Sequence, residues 1–235
     1  MKIAIMQPYF FPYIGYFQLL NAVDEFVIYD NIQYTKKGWI NRNRVLVNGK
    51  DEYISLSLKK DSDYLDVKDR FLSDTWAAVD RKKMLNRITE SYRKAPYFKE
   101  AFHLVEECIL CEHSNLFLFI LNSIEKINNY LSITTPIVIS STLDLNTELK
   151  AADKVMEICK KRNATHYLNP IGGLELYNKE HFEANDLALN FMKTNPFKYK
   201  QFENEYVPFL SIIDVLMFNS KEEVIQLVNK EFQVI

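Results

Sequence analysis

The sequence predicts an α/β fold: a Rossmann-like, mostly parallel sheet flanked by helices, with a β-hairpin appendage and a helical insert. Three observations predict it. Short apolar runs of strand length alternate with stretches of helical spacing. The first alternation, strand–loop–helix–strand, spans about thirty residues, the size of a βαβ unit. A helical stretch near the middle of the chain then interrupts the alternation. The expected organisation is one α/β domain over residues 1–235 with a helical insert at 75–131.

The elements follow in order. "KIAIM" (Lys2–Met6) reads as a buried strand that breaks at Gln7–Pro8. "YFQLLNAV" has apolar residues at helical spacing, and "EFVIYD" (Glu25–Asp30) reads as the second strand, parallel to the first. "RVLVNGKDEYISLSL" holds two alternating runs about Asn48–Gly49, a pair that accepts positive φ and marks a hairpin. From Trp76 to Tyr130 the pattern is helical, with Ser114 as the expected cap of "SNLFLFILNSIEKINNYL". "PIVISS" (Pro136–Ser141) returns to strand, "ELKAADKVMEICKKR" is an amphipathic helix, and "THYLNP" is a strand ending at Pro170. "LALNFMK" is a further strand candidate, and "LSIIDVLMF" and "KEEVIQLVNKEF" read as closing helices.

Composition narrows the function. A hydrophobic fraction of 48% supports a sizeable core, and a formal charge of −2 does not call for nucleic acid or an acidic membrane. No apolar run reaches the roughly 18 residues of a membrane span. Lys2 and the short strand behind it do not form a signal peptide. Three cysteines, Cys108, Cys111 and Cys159, cannot all pair within one chain, and reduced thiols in a cytoplasmic protein are expected. "CILC" lies in a helical apolar pattern without a second ligand pair, so no metal site is expected.

Two stretches carry the chemistry. "QPYFFPYIGY" starts at the carboxyl end of the first strand, where parallel sheets bind ligands, and finishes at a helix N-terminus. Pro8 and Pro12 stiffen it, Gly15 permits close approach, and Tyr9, Tyr13 and Tyr16 offer apolar faces with hydroxyl tips suited to a sugar or base. Gln7 can hydrogen-bond a substrate through its amide. The same residues also suit a roof over the core. "YDNIQYTKKGWINRNRV" follows the second strand with Asp30, Gln33, Lys36, Lys37, Trp39, Asn41, Arg42 and Asn43. The lysines and Arg42 suit a phosphate or carboxylate, Trp39 suits a ring, and Asp30 can accept a proton from an amine or hold a sugar hydroxyl. On an extended backbone Asn41 and Asn43 face one way, Arg42 and Arg44 the other. A solvated basic loop is the alternative. In "YLNPIGG", Asn169, Gly172 and Gly173 form a turn on the same rim. Ser211 and Asp214 lie on one side of a helix start, as caps or as site residues. The first two stretches are expected to form two walls of one cleft.

"QPYFFPYIGYFQLL", "DEFVIYDNIQYTKKGWINRNR", "YRKAPYF", "YLNPIGG" and "PFLSIIDVLMFN", in this order, resemble the WbqC-like protein family over nearly the whole chain. The resemblance implies a place in bacterial O-antigen or other surface-polysaccharide biosynthesis. It implies a transferase that attaches glycine or another acyl group to the amine of a nucleotide-linked sugar, with ATP or an activated acyl donor as co-substrate. It also raises Asp214 as a site residue. The expected catalytic residues are Asp30, Asp214 and Tyr13. The alternatives are an ATP-dependent ligase or nucleotidylyltransferase of the same pathway, and a non-enzymatic sugar-nucleotide scaffold; a homodimer is left open. The start of the chain also resembles the nucleotidylyltransferase and pantothenate-synthetase pattern, with Tyr13 and Tyr16 in the places of two histidines. A tyrosine cannot supply an imidazolium's charge, so that likeness implies fold more than adenylyl transfer.

Overall fold

The computed structural model describes residues 1–146, 148–149 and 151–235. A six-stranded sheet organises it. Its strands are β1 (Lys2–Met6), β2 (Glu25–Ile28), β5 (Ile137–Ile139), β6 (His166–Pro170), β7 (Ala188–Thr194) and β8 (Phe232–Val234). They lie in the order β5-β2-β1-β6-β7-β8, parallel except for β8, which pairs antiparallel with β7. This is the doubly wound order, in which the chain leaves β1 toward one edge and later returns to its other side at β6. β3 (Arg42–Val47) and β4 (Lys50–Ser55) form a separate antiparallel hairpin. At its turn Asn48 and Gly49 have φ of 51° and 77°, the positive pair that such a turn requires.

Alternation within the strands sorts side chains into two cores. Ile3, Ile5 and Val27 face one side of the sheet with Val155, Ile158, Tyr167 and Phe191; α5 (Ala151–Lys161) and α6 (Lys179–Glu183) lie on that side. Ala4, Phe26 and Ile28 face the other side, with α1 (Ile14–Asn21), α7 (Ile212–Phe218) and α8 (Lys221–Lys230). The helical segment α2 (Arg81–Tyr92), α3 (Phe98–Ile109) and α4 (Leu116–Tyr130) contributes Ile88, Leu104, Phe119 and Ile124 to this same cluster. With helices on both faces β2 is buried at every position, including Glu25, which receives a bidentate ion pair from Arg162.

Three local expectations change. The cap of α4 is Asn115, whose side chain accepts the Leu118 N–H at 3.1 Å, because Ser114 lies one residue outside the helix. The last helix stops at Lys230, and Phe232 begins β8, which fills the open edge of β7. The second strand stops at Ile28, two residues before Asp30. Lys150, inside the expected "ELKAADKVMEICKKR" helix, lies outside the described residues; the helix is described from Ala151. No described helix is long and apolar enough to cross a membrane.

Candidate functional site

The strand order reverses between β1 and β6, and the crevice beyond their carboxyl ends is where such sheets take ligands. Gln7 follows β1 there, and Asn169, Pro170 and the turn containing Gly172 and Gly173 stand at the end of β6. Among the described residues the Gln7 side-chain amide makes no hydrogen bond, so its donor and acceptor remain for a guest. Asn169 is held by the Tyr167 hydroxyl, which donates to Oδ1 at 2.9 Å, and by its own donation to the Pro170 carbonyl at 3.2 Å. Gly173 is required by that packing: a Cβ there would lie 1.9 Å from Asn169 Nδ2. Gly172 faces open space.

Asp30 occupies the same rim, two residues past β2 and only 2% exposed. Its carboxylate accepts from Ser140 Oγ at 2.9 Å, Ser141 N at 2.9 Å and Ser141 Oγ at 2.6 Å. These donors follow β5, so Asp30 ties the carboxyl ends of β2 and β5 together. A carboxylate has about four acceptor positions, and little capacity remains. Sequence reasoning missed a second carboxylate here. The 65–68 segment runs beside 30–34: Val67 N donates to Ile32 O and Lys68 N to Asp30 O. That pairing brings half-buried Asp66 to the rim. Burial pushes its carboxyl up, with Asp69 and Asp30 adding to the effect against the opposing charges of Lys68 and Lys154. Lys154, in the first turn of α5, places its ammonium 5.1 Å from the centre of the Tyr29 ring. No motif marks Asp66 or Lys154; the one sequence signal that could have found the former is the density of charged residues in the 58–70 stretch.

The opening loop is welded to its neighbours. Asn43 Nδ2 donates to the Phe10 and Phe11 carbonyls at 3.1 and 2.9 Å, Ser211 Oγ to the Phe11 carbonyl at 2.7 Å, and Phe10 N to Ile40 O at 3.1 Å. Phe10, Phe11 and Ile40 are fully buried between the two segments. The expected walls therefore touch, and their middles are filled by core side chains; only Gln7 and Asp30 reach the rim. The tyrosines divide. Tyr16 is buried and donates to the Gln7 carbonyl at 3.1 Å, bracing the loop, and burial pushes its hydroxyl well above its ordinary range. Tyr9 and Tyr13 stay partly exposed. Gly15 admits the Tyr13 ring: a Cβ on it would lie 2.2 Å from Tyr13 Cζ.

The basic loop faces two ways, as alternation requires. Asn43 points inward, and Asn41 accepts from the Tyr34 hydroxyl at 2.9 Å while donating to Leu56 O at 3.0 Å. Arg42 points outward but spends its guanidinium on its own loop, donating to Gly38 O at 3.1 Å and Lys37 O at 2.6 Å, and stacks over Tyr53. Trp39 lies beside Tyr53 and under Arg44 on the outer hairpin face. Lys36 pairs with Asp63 at 2.8 Å, Gln33 donates to Asp63 O at 3.0 Å, and Lys37 is exposed.

Asp214 lies apart from the rim and is 0% exposed. It accepts from Tyr92 at 2.8 Å, Tyr199 at 2.6 Å and Gln201 at 2.7 Å, and Tyr92 in turn accepts the Leu46 N–H at 2.7 Å. The network joins α7, α2, the hairpin and the 199–201 loop. Burial raises the carboxyl from 3.8 to about 6 against the lowering effect of its three donors. Ser211 caps α7 by accepting from Ile213 N at 3.2 Å. Cys108 is buried at the end of α3 with its thiol pushed up to about 12 by burial, and the described residues contain no cluster of three metal-type ligands.

No solved structure matches this chain. A curated relative, the uncharacterized protein Rv1507c of Mycobacterium tuberculosis, is 28% identical over 222 residues, covering 93% of each chain. The family model for the WbqC-like protein family matches residues 7–226, from the first rim residue through most of α8. The chain belongs to the WbqC-like protein family.

Proposed function

We propose that the protein is a transferase that joins glycine or another acyl group to the amine of a nucleotide-linked sugar in surface-polysaccharide biosynthesis. The observation that carries this reading is the meeting of Gln7, Asp30, Asp66 and the Asn169 turn at the reversal of a doubly wound sheet. Gln7 and Asn169 bind sugar hydroxyls or the amide under construction. Asp30, held by Ser140 and Ser141, keeps the rim in place.

The amine nitrogen attacks the carbonyl carbon of an activated acyl donor, a thioester or acyl adenylate. The C–N bond forms, the bond to the leaving group breaks, and Asp66 takes the amine proton. A carboxyl raised above its ordinary value is better matched to that task than an exposed one. Holding the amine against the carbonyl supplies much of the rate.

Thermal-shift screening with nucleotide amino sugars, ATP and acyl thioesters is the first test, followed by mass spectrometry of the sugar product. The reading expects a nucleotide sugar to raise Tm, and Asp66→Asn to lower turnover about a hundredfold while leaving that shift in place. Pyrophosphate release from ATP and glycine would move the ligase reading ahead. Binding without product from any donor class would leave the scaffold.

A further inference from the structure

Away from the crevice, a groove of about 480 Å³ is lined by Tyr34, Lys36, Lys59, Lys60, Asp63 and Arg70, with Asn41, Leu58 and Asp61 completing it. Arg70 is its unusual member. It is only 5% exposed, its guanidinium carbon sits 4.5 Å from the centre of the Tyr34 ring, and Nη1 donates to Ser62 O at 2.9 Å. Among the described residues Nε and Nη2 have no hydrogen-bond partner, and no carboxylate lies at ion-pair distance. Neither nitrogen is sealed in the core; both stay open to the groove, where water or a guest reaches them. Asp63, an acid on the groove, is 61% exposed and already paired with Lys36 at 2.8 Å. Lys59 pairs with Asp74, whereas Lys60 is exposed without an ion-pair partner among the described residues.

We propose that this groove is an oxyanion site built around Arg70 and that its guest is the diphosphate of the nucleotide sugar. Asp63 offsets Lys36 and Asp74 offsets Lys59, so Arg70 and Lys60 against Asp61 leave the groove net positive, which suits an anionic guest. Nε and Nη2 of Arg70 form the fork that takes two oxygens of one phosphate, and Lys60 serves as a point charge. Tyr34 holds the guanidinium flat from below; its own hydroxyl is fixed on Asn41 at 2.9 Å. Position favours the same guest. Residues 30–34 pass beside 65–68 from the rim to the groove with bends at Asn31 and Ile32, so the two lie less than about 13 Å apart along this segment, the limit set by the rise of an extended chain. One nucleotide sugar held by its diphosphate here reaches the rim with its sugar. The assignment rests on the proposed function for the identity of the guest, and moves the phosphate contact from Arg42 to Arg70.

Inorganic pyrophosphate is the probe, titrated calorimetrically into the full chain at low salt, with sodium acetate as the carboxylate probe. Pyrophosphate is expected to bind, with affinity that falls steeply as salt is added. Lys60→Glu, an exposed change that leaves the fold intact, is expected to weaken it at least tenfold. Arg70→Lys, which keeps the charge but loses the fork, is expected to do the same. Absence of pyrophosphate binding, or binding unchanged in Lys60→Glu, overturns the site. Acetate binding as tightly as pyrophosphate overturns the diphosphate assignment. If pyrophosphate binds and responds to Lys60→Glu while no nucleotide sugar shifts Tm, the groove stands and the proposed function falls. If a nucleotide sugar shifts Tm equally in wild type and Lys60→Glu, the groove falls and the crevice reading stands.

Discussion

Replacing Asp214 by Asn removes the one buried carboxylate of the α7 network while keeping its shape. In the folded protein burial raises this carboxyl from 3.8 to about 6. At ~1.36 kcal/mol per pH unit the difference corresponds to about 3 kcal/mol. The sign follows from proton uptake. Between the two values the folded state holds a proton that the unfolded chain has released, so stability falls as pH rises. The contribution is fully present below 3.8 and gone above about 6. Of the total, about 2 kcal/mol is lost between pH 4.5 and 7.5. The asparagine side chain cannot titrate, so this slope disappears from the variant. Urea unfolding followed by the fluorescence of Trp39 and Trp76, at pH 4.5, 6.0 and 7.5, measures it. The wild-type stability minus that of the variant should fall by about 2 kcal/mol across the range. A difference that stays flat, or grows with pH, would refute the account of a carboxylate penalised by burial and only partly rescued by Tyr92, Tyr199 and Gln201.

Asn43→Ala strands the Phe10 and Phe11 carbonyls in the core and should cost about 2–4 kcal/mol in urea unfolding, with Asn43→Asp worse because a carboxylate would face both carbonyls. Gly15→Ala forces the Tyr13 ring away and should cost about 1–3 kcal/mol. In a Tyr13→Ala background the same change should become neutral or stabilising, since alanine is the better helix former, and a thermal double-mutant cycle reads the coupling. Arg42→Ala releases the Lys37 and Gly38 carbonyls and the Tyr53 stack, so limited trypsin digestion should cut after Lys36 or Lys37 several-fold faster than in wild type. An unchanged digestion rate would show that Arg42 does not hold its loop.

Much of the architecture was legible because it is local. The short apolar run "KIAIM", the Asn48–Gly49 turn and the helical spacing from Trp76 to Tyr130 each depend on neighbours within a few residues, and each element appears. The alternation of Asn41 and Asn43 against Arg42 and Arg44 likewise appears as inward and outward sets. Two of the three boundaries that moved, Asn115 for Ser114 and β8 in place of a longer last helix, are decided by a neighbouring element rather than by the segment. The rim position of Gln7, Asp30 and Asn169 also followed from sequence, since strand ends in a parallel sheet share one side.

Side-chain partnership was decided only by the tertiary structure. Nothing near Asp30 in the chain announces Ser140 and Ser141, 110 and 111 residues away, as its donors. Arg42 and Arg70 are both arginines in charged loops; one turns back on carbonyls of its own loop, and the other, 5% exposed, leaves Nε and Nη2 without a partner among the described residues. The charge of a side chain is a property of its residue type, and so was read directly. Whether that charge is satisfied depends on which atoms the fold brings within about 3 Å, and those come from distant parts of the chain.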